Sequence, residues 1–253
     1  MELHGNRHTG AGPCCPGARA AGPRSDLSPS PHALSLDVWG TLIGSDPAFK
    51  PARNELLRAE FAPGVTPAQF DTALRGADRA ADETCMTTGL DVGFDARVCL
   101  ALQRLAVRSD TVPDRSAQLM ARQTTLAMAH PPRPLAPELP TLVAAAARRM
   151  PIVLTSNTGM LPGVLMRDLL RLAGFDVDDL AMVFSNEVGA AKPAREIFDI
   201  AVRAVGVPAA QVLHVGDNPV ADVQGGADAG LQTLLVAPDG MALAARLREI
   251  IAG

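Results

Sequence analysis

Lysine is nearly absent from this sequence: Lys50 and Lys192 are its two lysines among 23 basic residues. An excess of positive charge is absent too. The 23 Lys and Arg face 27 Asp and Glu for a net charge of −4, so no broad basic surface forms and no nucleic-acid partner is expected. No apolar run approaches the roughly 18–20 residues that cross a bilayer, and no membrane partner is expected. Cysteine is scarce. Cys14, Cys15, Cys85 and Cys99 lack metal-ligand spacing, and a chain of 253 residues needs no disulfide staples, so a reducing cytoplasm is the expected location. Residues 1–31 hold no apolar stretch and are rich in Gly, Pro, Ser and Arg. They read as a disordered tail and not as a secretory signal.

Hydrophobic residues make up 47% of the chain and charged residues 20%, an ordinary balance for one globular domain, or for a domain with a smaller insert. Five short apolar runs read as strands buried on both faces: "ALSLD" (33–37), "PIVLTSN" (151–157), "AMVFSN" (181–186), "QVLHVGD" (211–217) and "LQTLLVA" (231–237). From Pro140 onward helical patterns separate them, one of them closed by Gly206. Strand–helix alternation predicts an α/β fold with a parallel sheet and right-handed crossovers. The stretch from Gly44 to Pro140, roughly a hundred residues, is too long for a structureless loop. It reads as helices over "FKPARNELLRAEF", "TPAQFDTALRGADRAADETCM", "FDARVCLALQRLAV" and "PDRSAQLMARQTTLAMA", with Asp46-Pro47 as a cap and first turn. The expected division is an α/β core of 32–44 plus 131–253 and a helical insert of 45–130. Arg53, Arg75 and Arg79 of the insert read as part of a solvated helix face.

Ligands of a parallel sheet bind outside the carboxyl ends of its strands. The first run ends on Asp37, followed by "VWGT"; the second ends on Thr155-Ser156-Asn157. The third leads into Lys192-Pro193, and the fourth ends on Gly216-Asp217 with Asp222 beyond. These residue types suit phosphoryl transfer. An aspartate can form an acyl-phosphate, Mg²⁺ takes carboxylate oxygens, and a hydroxyl and an ammonium stabilise phosphoryl oxygens. Singly, each is an ordinary turn or cap residue; their order at successive strand ends carries the reading.

The segments "LDVWGTL", "VLTSNT", "SNEVGAAKPAREIF" and "LHVGDNPVADVQGGADAGLQTLLV" resemble the four motifs of the haloacid dehalogenase-like (HAD) superfamily of hydrolases. The likeness runs from Leu34 to about Val236. It implies a Rossmann-like parallel sheet core with an inserted α-helical cap of the C1 type. It implies Asp37 as nucleophile and Lys192 as the stabilising lysine. Thr41, Ser156 and Asn157 become substrate-binding, with Thr155 as the substitute for Ser156 if the strand slips by one residue. A Mg²⁺ ion would be held by Asp37, Asp217, Asp222 and the backbone carbonyl of Trp39, and the substrate would be a small phosphorylated molecule.

Trp39 departs from the pattern. Family phosphatases carry a second aspartate there, which protonates the leaving group and later activates water. Indole does neither, and such help is worth about 10²–10⁴ in rate. Three readings stand open. One is a Mg²⁺-dependent phosphatase with weakened acid–base chemistry. Another is a metal-independent 2-haloacid dehalogenase, whose branch also has an aromatic residue at this position. The third is a non-catalytic binding or regulatory protein. A phosphonate-cleaving enzyme needs a Schiff-base lysine in the cap, and Lys50 lies too close after the first strand for that role.

Overall fold

In a computed structural model, which describes residues 30–252, the five apolar runs form one parallel sheet. Most of the expected tail, with Cys14 and Cys15, lies outside the described residues. The elements run β1 (Ala33–Leu36), β2 (Ile43–Gly44), α1 (Phe49–Phe61), α2 (Pro67–Thr88), α3 (Phe94–Arg104), α4 (Val112–Ala129), β3 (Arg133–Pro134) and α5 (Leu139–Ala147). They continue with β4 (Ile152–Ser156), α6 (Gly163–Leu172), β5 (Ala181–Phe184), α7 (Ser185–Val188), α8 (Arg195–Val205), β6 (Val212–Gly216), α9 (Gly225–Asp228), β7 (Gln232–Leu235) and α10 (Met241–Ala252). The sheet order is β5-β4-β1-β6-β7, so the first strand is central. Its neighbours lie on opposite sides, Leu34 opposite Ile152 and Leu213, and this reversal of strand order opens the crevice where such sheets bind ligands.

The central strands are apolar because both faces are covered. Every residue of β1, β4 and β6 is buried. One face packs on α5, α6 and α10 through Leu139, Leu165, Leu169 and Leu243; the other packs on α8 through Ile197, Phe198 and Ala201. Helix α8 stops where Gly206 takes the left-handed conformation at φ 70°.

Between β2 and β3, an antiparallel pair joining Ile43 to Pro134, the chain forms α1–α4. These four helices enclose an apolar cluster of their own, with Leu57, Phe70, Leu74, Val98, Leu102 and Leu119 among its members. Helix α2 starts at a capping box between Thr66 and Gln69 and ends at Gly89, also left-handed. Asp46 caps a turn ahead of α1 and not the helix itself: its carboxylate accepts from the Ala48 N–H at 2.9 Å, and the α1 N-cap, Ala48, has no side-chain bond. The insert is tied over the carboxyl end of the sheet at several points. Ser185 Oγ donates to Asp91 at 2.6 Å, Ala191 N–H to Gly89 O at 2.8 Å, and Gln123 Nε2 to Met160 O at 2.7 Å.

The strands are one to three residues shorter than the apolar runs suggested. After β5, Ser185-Asn186 open α7 instead of extending the strand. Their side chains hold the neighbouring loop: Thr158 N–H donates to Ser185 Oγ at 2.9 Å and Gly163 N–H to Asn186 Oδ1 at 3.1 Å. No helix among the described residues is long and apolar enough to cross a membrane.

Leu154 is wholly buried in β4 beside the central strand. Leu154→Ala is expected to lower the unfolding free energy by about 2–5 kcal/mol, read from urea denaturation. An unchanged midpoint would show that this part of the core relaxes into the space.

Candidate active site

Asp37 follows the last residue of β1, and its N–H donates to Val215 O at 2.9 Å, continuing the sheet ladder. The carboxylate is 5% exposed. Its Oδ1 accepts from Ser156 Oγ at 3.0 Å and from Lys192 Nζ at 2.6 Å; its Oδ2 accepts from Thr41 Oγ1 at 3.2 Å. Thr41 is itself wholly buried, so its hydroxyl acts on Asp37. Between them the chain turns sharply, with Gly40 at φ 81°, and a Cβ at Gly40 would run into the Asp217 carboxylate. Only glycine combines that backbone conformation with that close approach.

Lys192 reaches the site from the loop after α7. Its backbone is pinned by Asn157: Lys192 N–H donates to Asn157 Oδ1 at 2.8 Å, and Asn157 Nδ2 donates back to Lys192 O at 3.0 Å. The ammonium lies between two carboxylates, Asp37 Oδ1 at 2.6 Å and Asp222 Oδ1 at 2.5 Å. Asp222 is fixed in turn by the Asn218 N–H at 2.9 Å and by His214 Nε2 at 3.1 Å. A carboxylate only accepts, so His214 carries its proton on Nε2 and accepts on Nδ1 from Ser35 Oγ at 2.8 Å. Ser35 then accepts from Thr155 Oγ1 at 2.9 Å. This settles the register of β4. Ser156 faces Asp37, while Thr155 belongs to the buried network beneath.

Burial raises the pKa of Asp37 against the pull of Lys192, with Asp222 and Asp217 adding repulsion. Burial raises Asp217 as well, again helped by Asp222. Asp222 goes the other way: burial opposes its charge, but Lys192 and His214 hold it well below the usual carboxylate range. Lys192 is raised because its two carboxylates outweigh its burial. Burial lowers His214, which stays neutral despite Asp222.

Asp37, Ser156, Lys192, Asp217 and Asp222 line a pocket of about 260 Å³ with Trp39, and further lining comes from Asp82, Cys85 and Met86 of α2. Asp82 is held by Arg97 at 2.8 Å. The half-buried indole of Trp39 packs on the main core and faces the pocket at once. Sequence reasoning missed His214 and Ser35, although a histidine and a serine inside otherwise apolar strands were a visible signal. It also missed the α2 wall, for which no local pattern exists. Arg53 is a correction. It is 6% exposed and not on a solvated face, whereas Arg75 and Arg79 are exposed.

The donor set fits a hard divalent cation. Asp37, Asp217 and Asp222 offer carboxylate oxygens that all lie within 4.8 Å of one another, and oxygen is what Mg²⁺ takes. Three acids face one ammonium; burial first, and repulsion among the acids after it, raise Asp37 and Asp217, and a cation would relieve both.

A family model described as haloacid dehalogenase-like hydrolase matches residues 31–230. Pyrimidine 5'-nucleotidase YjjG of Escherichia coli is 49% identical over 53 residues, 21% of this chain and 24% of that protein. Phosphoserine phosphatase of Thermus thermophilus is 37% identical over 103 residues, 41% of each chain. The matches thus span less than half the length of either curated relative. Among solved structures, magnesium-bound YfnB of Bacillus subtilis superposes with a TM-score of 0.59 at 20% identity, covering 82% of this chain and 89% of that one.

Mg²⁺ about 100-fold above its dissociation constant is expected to stabilise the protein by about 2.7 kcal/mol. That corresponds to a rise in Tm on the order of 5–10 °C. The rise should shrink sharply in Asp217→Asn. Scanning fluorimetry with and without the metal reads both, and a Tm indifferent to Mg²⁺ would remove the carboxylate cluster as a cation site.

Proposed function

We propose that this chain, which belongs to the haloacid dehalogenase-like hydrolase family, hydrolyses small phosphate monoesters through an aspartyl-phosphate formed on Asp37. The observation that carries the reading is the convergence of Ser156 Oγ and Lys192 Nζ on Asp37 Oδ1, beside the Asp217 and Asp222 carboxylates. Both curated relatives are named for removing phosphate from small molecules, which supports the same chemistry. The pocket of about 260 Å³ suits a phosphoryl group with a short substituent.

In this reading Asp37 attacks phosphorus in line as the P–O ester bond breaks, and the leaving group departs as an alkoxide or phenolate that takes its proton from solvent; water then attacks phosphorus, loses its proton to solvent, and breaks the bond to Asp37, releasing phosphate. The donors on Asp37 Oδ1 mark where the transferring oxygens are held, because Lys192 and Ser156 can turn to them without moving their backbones. Thr41 keeps the carboxylate from rotating, and Asn157 keeps Lys192 in reach. Asp37, Asp217, Asp222 and the Trp39 carbonyl would hold a magnesium ion, which would supply charge neutralisation for the phosphoryl oxygens. Helices α1–α4 act as the cap, with Asp82, Cys85 and Met86 closing the pocket from above. The group at position 39 gives no proton, and Asp82 is engaged by Arg97. Esters with good leaving groups are therefore favoured.

Metal-independent 2-haloacid dehalogenation is the second reading. The indole at position 39 favours it, since halide departs without a proton. The acid cluster opposes it, because a metal-free reaction on carbon gains nothing from Asp217 beside Asp37.

Phosphate release from p-nitrophenyl phosphate is expected with Mg²⁺, to vanish with EDTA, and to vanish in Asp37→Asn. Chloride release from 2-chloropropionate that survives EDTA would favour the second reading. Trp39→Asp should raise turnover of an alkyl phosphate by about tenfold or more, within the range of general acid–base help. No gain in a folded variant would contradict the deficit assigned to Trp39.

A further inference from the structure

A second cavity, of about 440 Å³, adjoins the first at Trp39. It shares Trp39 and Asp217 with the catalytic pocket and is lined further by Lys50, Arg53 and Thr158. Arg53 is the unusual member. It is 6% exposed, yet no carboxylate of the described residues lies within ion-pair distance of its guanidinium. Its Nε and Nη2 both donate to Asn54 Oδ1, at 3.0 and 2.8 Å. Asn54 passes the contact on to Asp71 at 2.8 Å, so Asn54 rather than an acid meets the guanidinium directly. Burial is the main force lowering its pKa; Asp78 and Asp71 oppose it from beyond ion-pair distance, and Arg97 adds repulsion.

Buried arginines ordinarily have a carboxylate partner, because leaving the charge uncompensated is costly. Here one edge of the fork is locked by Asn54, and Nη1 has no acceptor among the described residues. An N–H of Nη1 and the outer N–H of Nη2 run nearly parallel and match the two oxygens of a carboxylate. Lys50 adds a second positive charge at the exposed side of the same cavity. The chain has one other lysine, at the heart of the catalytic site.

We propose that Arg53 and Lys50 form a carboxylate-binding subsite for the leaving-group end of the substrate. The preferred substrates are then small phosphate esters that also carry a carboxylate, their two anionic ends divided by the Trp39 side chain. This rests on the phosphatase reading for the phosphoryl end, but the subsite can be tested apart from turnover.

The comparison is between 3-phosphoglycerate and glycerol 3-phosphate, which differ only in a carboxylate for a hydroxymethyl group. Their affinities are measured by calorimetry with Mg²⁺ in the Asp37→Asn background, where nothing is hydrolysed. The carboxylate compound is expected to bind about tenfold more tightly or better, as befits hydrogen bonds to a charged group. The ratio should fall toward one in Arg53→Gln, fall partway in Arg53→Lys, which keeps the charge and loses the fork, and fall partway in Lys50→Gln. Lys50 is exposed, so its variant stays informative if Arg53→Gln does not fold. Equal affinities in the parent protein, or a preference that persists in the folded variants, would overturn the subsite. Failure of the phosphatase reading shows separately, as wild-type protein that releases phosphate from neither compound.

Discussion

The Lys192 ammonium, buried between the carboxylates of Asp37 and Asp222, is the contact on which the site depends. Two acids at those positions would repel each other in a medium of low dielectric, and neither could stay ionised without a cation between them. Removing one partner of such a buried group is strongly destabilising, by about 3–5 kcal/mol, because the other charges are left without compensation. The lysine therefore opposes the burial that raises the pKa of Asp37, and it joins the end of β1 to the helical turn that follows β6. Its own position is set from behind by Asn157, at the end of β4. Three central strands thus meet through one side chain.

The network does not end at Asp222. His214, Ser35 and Thr155 continue it beneath the sheet surface, across β6, β1 and β4 in turn. Each group's donor meets an acceptor, so the polar chain is satisfied within a core that is otherwise apolar. A neutral His214 gives Asp222 a fixed hydrogen bond without adding a charge, leaving Lys192 as the single cation at the base of the pocket. The close approach of Gly40 to Asp217, and of Gly216 to Asp222, shows how tightly the backbone is drawn in around these acids.

Much of this was legible in the sequence, for a physical reason. Strands buried on both faces must be apolar throughout, so a polar residue at the end of such a run marks the edge of the sheet. Asp37, Ser156 and Asp217 all follow that rule. Thr155 and Ser156 could not be ordered by pattern, because a strand buried on both faces lacks the alternation that fixes register. His214 and Ser35 were visible as polar intrusions, but their pairing needed β1 and β6 to lie side by side. Arg53 was misread because helical periodicity places a residue on a face without saying what covers that face. Here Arg53 lines a cavity together with Thr158 and the turn after β1.

Trp39 brings the fold and the chemistry together. An acid at this position would stand over the leaving group and supply a proton. The indole instead lines both the catalytic pocket and the cavity holding Arg53, and it is anchored in the main core. Under the proposed reading, one position would therefore bear on two properties that are usually separate: how fast a poor leaving group departs, and where its far end can lie. A small acid there would restore a proton donor but remove the side chain that lines both spaces. In that reading the rate of the reaction is coupled to its selectivity, since the side chain that withholds the proton is the one shared by the two cavities.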